Sequence, residues 1–333
     1  MADNGRVTMA DVARIAGVSK ITVSRALSGS ELVRPEVRDR IRDAAAAAGY
    51  RINLAARDLR LRQRRRVAVV IDMSATDDRP MSDPYPLALL GGIVQECAVA
   101  GFAVVLTTSD PRMSAEVQDA SGIIVLGQGS HHHAVRALAA HDVPMVVWGA
   151  DDGVESALGV VVIGGDNRRG GELAAEHMRA HGRQSLIFLG DSSHAELAGR
   201  LEGFRAGIAG HGARLIAAHS SGFTIESGAA AMASLIRQGI AFDGVFAGSD
   251  LVAIGAMRAM REHGLLPGRD VSVVGYDDSP AAAAHVPPLT SIRQDWTEGG
   301  RLLASTLLAS LEPDGAPPAS ARIVSANLIS RQT

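Results

Sequence analysis

The sequence predicts an all-α domain at the N-terminus, followed by an α/β region built from two doubly wound parallel sheets. The first 50 residues contain three short helical segments rich in Ala and Arg. From Arg66 onward the pattern changes to short runs of Val and Ile, separated by helix-like stretches. These runs are apolar throughout and do not alternate, which indicates strands buried on both faces of a parallel sheet.

Helix caps and one glycine mark the N-terminal helices. Thr8 is suited to cap the segment MADVARIA, and Ser19 the segment KITVSRALSG. Gly17 stands between them, although Gly costs about 1 kcal/mol relative to Ala inside a helix. We therefore expect two short crossed helices that meet in a sharp turn and bury Ile15 among other apolar residues. Pro35 then opens a third helix, which stops at Gly49.

Eight apolar runs in the rest of the chain have the composition of buried strands. They are RVAVVID, FAVVLTT, GIIVLG, VPMVVWG, GVVVIG, SLIFLG, GVFAGS and VSVVGYDD. The helical stretches between them include 87–100, 168–181, 196–210, 224–238 and 250–263. So many alternating elements exceed one sheet and predict two lobes. Ligands bind at the carboxyl ends of the strands in such sheets, so two facing lobes form a cleft.

Composition limits the classes of protein that fit. The chain has 333 residues, 47% of them hydrophobic, and lacks the uninterrupted apolar run of about 20 residues that a membrane span needs. The N-terminus has no signal-peptide core. Cys97 is the single cysteine and cannot form an internal disulfide. We expect Cys97 to be a core residue and the protein to be cytoplasmic.

Charge is distributed unevenly along the chain. Residues 1–66 contain 15 Lys or Arg and 7 Asp or Glu, a net charge of +8, whereas the remainder carries −11. A basic head on an acidic body indicates that the head binds a polyanion.

Five motifs follow one another in an order typical of one protein family. They are DVARIAGVSKITVSRAL at 11–27, GDNRRGG at 165–171, GRLEGFRAG at 199–207, GSDLVAIGAMRAM at 248–260 and DVSVVGYDDSPAAAAHVPPLTSIRQDW at 270–296. Through these motifs the chain resembles the LacI/GalR family of bacterial transcriptional regulators over nearly its full length. The resemblance implies a helix-turn-helix DNA-binding domain followed by a periplasmic-binding-protein-like effector domain.

The resemblance also implies where the domains begin and end. They are 1–52 for the helix-turn-helix domain, 53–66 for a hinge helix or linker, and 67–333 for effector binding and dimerisation. Within the last region, lobe 1 comprises about 67–164 and 294–323, and lobe 2 about 165–293 and 324–333.

In this family the second helix of the pair lies in the DNA major groove, which is about 12 Å wide. Lys20, Ile21 and Arg25 match base-reading positions; Arg25 can donate a bidentate pair to guanine, and Ile21 can contact a thymine methyl group. Short hydroxyl side chains nearby suit phosphates, but capping by Ser19 and simple solvation of Ser24 remain alternatives. The implied DNA-binding residues of this domain are Thr8, Ser19, Lys20, Ile21, Thr22, Ser24, Arg25, Ser28 and Arg34.

The linker matches a hinge helix that forms on DNA and pairs with its dimer mate in the minor groove. Leu59 matches the leucine that opens a base step there, with Asn53, Ala56 and Arg57 beside it. The family often has Pro where Ile52 stands. A disordered tether is the alternative, because so short a helix is marginal in water.

The resemblance places seven side chains around the cleft. Carboxylates accept hydrogen bonds from hydroxyl groups, Arg donates two at once, and an aromatic face covers the C–H surface of a ring, so a sugar fits. Two alternatives remain open: Phe223 as a core residue and Asp250 as a helix N-cap. The implied effector-binding residues are Arg200, Phe223, Ser249, Asp250, Asp277, Gln294 and Trp296.

Two departures from the family affect the expected ligand site. Gly149 stands where relatives often carry a polar ligand contact. Segment 109–121 is shorter than in relatives and leaves room for only one or two helical turns, so the wall of lobe 1 should differ there.

Signals for other functions are weak. The triplet HHH at 131–133 begins an expected helix, where consecutive histidines point in different directions and the i, i+4 spacing of a helical metal pair is missing. GGDNRRGG lacks the Lys and Ser/Thr of a phosphate loop, and no Ser/His/Asp set has supporting context. We therefore expect no enzyme, no cofactor and no metal. A solute-binding protein of a transporter would need an export signal and would lack the basic head.

The sequence thus predicts a homodimeric, sequence-specific DNA-binding regulator that works on nucleoid DNA in the cytoplasm. The expected role is repression of carbohydrate uptake or catabolism genes through a near-palindromic operator, under the control of a sugar. A regulator of the same architecture that responds to a nucleobase or another metabolite is the alternative.

Overall fold

The computed structural model describes residues 7–27, 32–50, 65–72, 84–108, 115–128, 132–141, 143–312 and 322–333. The chain divides into two compact units, Met1–Gln63 and Arg64–Thr333. Each unit has hydrophobic cores of its own.

Helices α1 (Met9–Ala16), α2 (Lys20–Leu27) and α3 (Pro35–Ala47) form the described part of the first unit. Gly17 ends α1 in the left-handed conformation, with φ at 64°. The amide of Val18 then bonds back to the carbonyl of Ala13. The sharp turn expected from the sequence is present, because Gly adopts this backbone at little cost.

One core joins the three helices. Its buried residues are Val12, Ala13, Ala16, Val23, Ala26, Val33, Ile41 and Ala45. The expectation that Ile15 joins them is wrong, since its side chain is 57% exposed. At about 100° per residue, Ile15 falls on the flank of α1, away from the face that carries Val12, Ala13 and Ala16.

The second unit alternates strands and helices. Its strands are β1 (Arg66–Ile71), β2 (Ala103–Thr108), β3 (Gly122–Leu126), β4 (Met145–Trp148), β5 (Val161–Gly165), β6 (Ser185–Leu189), β7 (Arg214–His219), β8 (Gly244–Ala247), β9 (Ser272–Tyr276), β10 (Thr290–Gln294), β11 (Arg322–Val324) and β12 (Ala326–Ile329). Its helices are α4 (Pro84–Val99), α5 (Ala115–Gln118), α6 (His133–Ala139), α7 (Val154–Ala157), α8 (Asn167–Ala180), α9 (Ala195–Ile208), α10 (Ile225–Arg237), α11 (Asp250–Glu262), α12 (Pro280–Ala284) and α13 (Trp296–Ser310). None of the described helices is both long and apolar enough to cross a membrane.

Within the described residues, these strands form two sheets of six. The order is β11-β5-β4-β3-β1-β2 in the sheet of lobe 1 and β12-β10-β9-β8-β6-β7 in the sheet of lobe 2. All pairings are parallel except β12 on β10. The doubly wound pair of sheets predicted from the sequence is therefore present.

The eight strands expected from apolar runs all form, and four others were missed. β7 lies at a sheet edge and alternates exposed and half-buried residues, so it lacks a continuous apolar run. β10 is buried but polar, with Thr290 and Ser291 fully enclosed. β11 has only three residues, and β12 has the sequence ANLI, which contains a polar residue and is mostly not buried, so neither forms a continuous apolar run. Of the short segment 109–121, the described part holds the four-residue helix α5.

The chain passes three times between the two sheets. The passages lie between β5 and α8, between β10 and α13, and between β11 and β12. Each lobe is therefore assembled from separate stretches of sequence.

Helices α4 and α13 of lobe 1 touch through glycines. A Cβ on Gly92 would lie 2.2 Å from the carbonyl oxygen of Thr297, and one on Gly300 would lie 2.1 Å from that of Leu89. Only hydrogen atoms at these positions allow the backbones to approach so closely.

The neighbouring residues Gly91 and Gly92 offer a matched test of this packing. Gly92→Ala should lower the free energy of unfolding by roughly 1–3 kcal/mol, because backbone atoms of α13 must move. A Cβ on Gly91 meets no atom within 4 Å. Gly91→Ala should therefore raise the free energy of unfolding by about 0.5–1 kcal/mol through helix propensity. Urea unfolding measures both, and equal effects of the two substitutions would contradict the close approach.

Candidate functional site

A cavity lies where the carboxyl ends of strands from both sheets meet. Asp72 follows β1, Gly149 follows β4 and Asp277 follows β9. This is the position at which doubly wound sheets hold ligands. The lining residues are Asp72, Tyr85, Leu126, Gly127, Gln128, Trp148, Gly149, Gly165, Asn167, His194, Glu196, Leu197, Arg200, Phe223, Ser249, Asp277 and Gln294.

Five of the seven side chains expected at the cleft line this cavity. They are Arg200, Phe223, Ser249, Asp277 and Gln294. Asp250 and Trp296 do not line it, and both lie behind its wall.

Arg200 is held in a fixed position on α9. Its Nε donates to Oδ1 of Asn167 at 2.9 Å, and its Nη1 donates to the carbonyl of Gly248. Its guanidinium carbon lies 3.6 Å from the ring centre of Tyr276, a cation–π contact. A cation restrained in this way needs little further ordering when it binds a ligand.

Asp277 has a backbone conformation that is rare for a residue with a side chain. Its φ is 114°, and that of Asp278 is 53°. Such strain persists only where the surroundings enforce it. Nε2 of Gln294 donates to Oδ1 of Asp277 at 3.0 Å, while Nε of Arg293 donates to Asp278 at 2.6 Å. Asp277 and Gln294 therefore present a linked carboxylate and carboxamide to the cavity.

Asp250 is a scaffold residue. Ser249 is the N-cap of α11, because its Oγ accepts from the amide of Val252. The alternative of an Asp250 N-cap is therefore wrong, since Asp250 lies one residue inside the helix. Its Oδ2 accepts from the amide of Ser279 at 2.7 Å, and its Oδ1 from the hydroxyl of Ser291 at 2.6 Å. Asp250 thus ties α11 to the start of α12 and to β10.

Trp296 does not line the cavity but supports a residue that does. It is the first residue of α13, and it packs in the core of lobe 1. Its ring meets that of Tyr85 edge-on, with the ring centres 5.8 Å apart. Since Tyr85 lines the cavity, Trp296 supports one of its walls.

Phe223 is only partly buried, and it lines the cavity together with His194. The two rings meet edge-on with their centres 5.2 Å apart. His194 precedes α9 and was not anticipated from the sequence. No motif marks His194, because its position depends on how the turn before α9 meets the loop before α10, which carries Phe223.

Gln128 is a second residue that sequence reasoning missed. Its Nε2 donates to the carbonyl of Ala150 at 2.9 Å, and its Oε1 accepts from the amide of Ala150 at 2.7 Å. A Cβ on Gly149 would lie 2.0 Å from this Oε1. The Gln128 side chain therefore fills the space that a side chain at position 149 would need. The pairing of β3 with β4 brings these loops together, and Gly149 was the only signal.

Three side chains expected to read bases, those of Lys20, Ile21 and Arg25, are exposed on α2. Ile21 is 64% exposed. Arg34 is exposed at the N-cap of α3 and makes no side-chain cap bond. All four side chains are exposed on the surface of the first unit.

The hydroxyl groups of this unit are largely engaged locally. Oγ of Ser19 accepts from the amide of Thr22 at 3.1 Å and pairs with its hydroxyl at 2.8 Å, so Ser19 does cap α2. The hydroxyl and amide of Thr8 donate to the carboxylate of Asp11. Ser24 is half-buried. Ser28, Asn53, Ala56, Arg57 and Leu59 lie outside the described residues.

Burial, and next the negative charge of Asp277, raise the pKa of Asp250 from 3.8 to about 8. Between these values the folded chain retains a proton that the unfolded chain has released, so rising pH destabilises the fold. Relative to Asp250→Asn, the wild type should lose up to about 1.4 kcal/mol of unfolding free energy per pH unit in this window. Urea unfolding at several pH values measures this difference, and parallel pH profiles would contradict it.

Comparisons with known proteins agree with this architecture. Residues 8–53 match the family described as bacterial regulatory proteins, lacI family, and residues 175–333 match a periplasmic binding protein-like domain. The chain is 32% identical to the HTH-type transcriptional regulator CelR of Thermobifida fusca, over 94% of each protein.

Solved structures give the same result. The structure of the Lac repressor dimer bound to operator and the anti-inducer ONPF has a TM-score of 0.84 and 26% identity, covering 98% of this chain and 99% of that one. A transcriptional regulator CelR–cellobiose complex has a TM-score of 0.72 and 28% identity, with the same coverage. The predicted helix-turn-helix and periplasmic-binding-protein-like fold is confirmed. The chain belongs to the LacI family and is a DNA-binding transcriptional regulator.

Proposed function

We propose that the protein is a dimeric repressor of carbohydrate uptake or catabolism genes, and that a sugar in the cavity controls its operator affinity. It acts in the cytoplasm on nucleoid DNA, and the role requires no catalysis. The Lac repressor relative is a dimer on its operator, and the CelR relative binds cellobiose. A two-fold dimer implies a near-palindromic operator.

The cavity wall is the observation that carries the sugar assignment. It combines a fixed cation at Arg200, the linked carboxylate and carboxamide of Asp277 and Gln294, and the partly buried aromatic ring of Phe223. Vicinal hydroxyl groups both donate and accept, so they pair with such a mixed set, while the aromatic ring covers C–H groups. An apolar ligand would leave these polar groups unsatisfied.

Ligand control follows from the division of the cavity between the lobes. Gln128 and Gly149 belong to lobe 1, whereas Arg200 and Asp277 belong to lobe 2. A sugar that contacts both sets favours one relative position of the lobes. A coupling of about 1–3 kcal/mol between this position and the paired hinge segments would change operator affinity roughly 5–150-fold.

Arg25→Ala should remove discrimination between operator sequences, because the guanidinium that pairs with a guanine is lost. We expect about 1–3 kcal/mol less preference for the cognate duplex over a single-base variant. Arg42→Ala is the matched control, since it removes an equal charge from the exposed side of α3. Fluorescence anisotropy with both duplexes at one fixed salt concentration measures this. Unchanged discrimination in Arg25→Ala would exclude its role as a base reader.

A thermal-shift screen of mono- and disaccharides on the full-length protein tests the effector class. At least one sugar should raise the melting temperature of the wild type and change its operator affinity. Asp277→Ala should lose both responses and still bind the operator, whereas the control Glu262→Ala on the exposed end of α11 should keep both. A panel with no response, beside a response to nucleobases, would reject the sugar.

A further inference from the structure

Gln128 stands where lobe 1 meets the cavity, two residues beyond the end of β3. It lines the cavity, although only 1% of its surface is exposed. We propose that Gln128 is a specificity-determining residue, whose carboxamide binds one hydroxyl group of an uncharged sugar. The inference rests on the proposed function, because it names the group of the protein that selects among sugars.

The orientation of the carboxamide is fixed by the backbone of Ala150. Nε2 of Gln128 donates to the Ala150 carbonyl oxygen at 2.9 Å, and Oε1 accepts from the Ala150 amide at 2.7 Å. Exchanging the nitrogen and oxygen atoms would set donor against donor and acceptor against acceptor, so only this orientation satisfies both bonds. The carboxamide therefore needs little further ordering when a ligand binds.

The bonds to Ala150 use only half of the hydrogen-bonding capacity of the carboxamide. A carboxamide has two N–H donors and two acceptor lone pairs, and these bonds take one of each. Among the described residues, the second N–H and the second lone pair of Gln128 have no other partner. A sugar hydroxyl group both donates and accepts, so it can pair with either. A ligand without a hydroxyl group here would leave a buried donor unsatisfied, which makes such a contact selective.

Gly149 leaves open the space that the carboxamide occupies. A Cβ at position 149 would lie 2.0 Å from Oε1 and 2.2 Å from Cδ of Gln128. Atoms that are not bonded cannot approach so closely, so a side chain at position 149 would displace the carboxamide. Gln128 and Gly149 therefore act as a pair in the wall of the cavity.

The chain after Gln128 is held at His132. The amide of His132 donates to the Gln128 carbonyl oxygen at 3.1 Å. Nδ1 of His132 is 2.6 Å from Oε1 of Glu155, and its Nε2 is 3.0 Å from Oδ2 of Asp152. The imidazole thus joins this part of the chain to α7 and to the loop before it. Supporting contacts of this kind hold a binding residue rigidly enough to discriminate between ligands.

The charges of the cavity favour an uncharged ligand. Three carboxylates stand among the described lining residues, those of Asp72, Glu196 and Asp277. Arg200 provides the single guanidinium in the same set. Asp72 follows β1, which pairs with β3, so it enters the same wall as Gln128. A sugar acid or a sugar phosphate would meet net negative charge, and the neutral carboxamide would not balance it.

Calorimetric titration of the full-length protein with deoxy sugars tests the contact. The probes are the sugar of the panel that gives the largest thermal shift and analogues that each lack one of its hydroxyl groups. Gln128→Met keeps the size of the side chain but removes its donors and acceptor, so it should bind the parent sugar roughly tenfold more weakly than the wild type. For the one analogue that lacks the hydroxyl group contacted by Gln128, this difference should disappear.

A control and a second variant separate binding from folding. Gln238→Met is the matched control, because it replaces an exposed glutamine at the end of α10 and should leave every affinity unchanged. Gly149→Ala displaces the carboxamide without altering Gln128, so it should give the same pattern as Gln128→Met. Circular dichroism shows whether each variant is folded, and if Gln128→Met is not, Gly149→Ala decides.

Equal weakening of the parent sugar and of every analogue would overturn the proposal, because it would show a structural role alone. Undiminished binding of the parent sugar by folded Gln128→Met would overturn it as well. So would tighter binding of a sugar acid or sugar phosphate than of any uncharged sugar. A wild type that binds no sugar would instead reject the proposed function itself, and this inference with it.

Discussion

The burial of parallel strands on both faces is the constraint on which the second unit depends. β1, β3 and β4 have no exposed side chain, and only their last residues, such as Leu126 and Trp148, reach the cavity. Polar groups are therefore found mainly at the carboxyl ends of the strands and on the helices, where the chain leaves the core. Asp72, Gly149 and Asp277 all stand at such points.

The polar groups at the cavity are held by others that do not line it. Tyr276 supports the guanidinium of Arg200, and Asp250 binds the segments around Asp277. Trp296 supports Tyr85 in the same manner. If each lobe is rigid, a small shift of the residues that contact the ligand moves the whole lobe. Support from residues behind the wall of the cavity therefore helps the ligand to change the relative position of the two lobes.

The fold could be predicted from the sequence because buried strands require continuous apolar runs, and these runs are easy to identify. Short continuous runs rich in Val and Ile, such as GIIVLG, favour interior strands, and Gly17 favours a break between two helices. Edge strand β7 and polar strand β10 carried no such signal. At the cavity, sequence reasoning failed where a residue's role depends on tertiary contacts. Gln128 fills the space beside Gly149, which has no side chain and lies 21 residues further along the chain. Likewise, His132 was compared with its neighbouring histidines, whereas its partners lie 20 and 23 residues further along the chain.

The three passages between the sheets have a consequence for synthesis on the ribosome. β11, which pairs with β5 at the edge of the first sheet, comprises Arg322–Val324 and follows every strand of the second sheet except β12 in the chain. The sheet of lobe 1 therefore cannot be completed until nearly all of lobe 2 has been synthesised. Neither lobe can complete its sheet before most of the other lobe has been synthesised, so we expect the two lobes to complete their folding together.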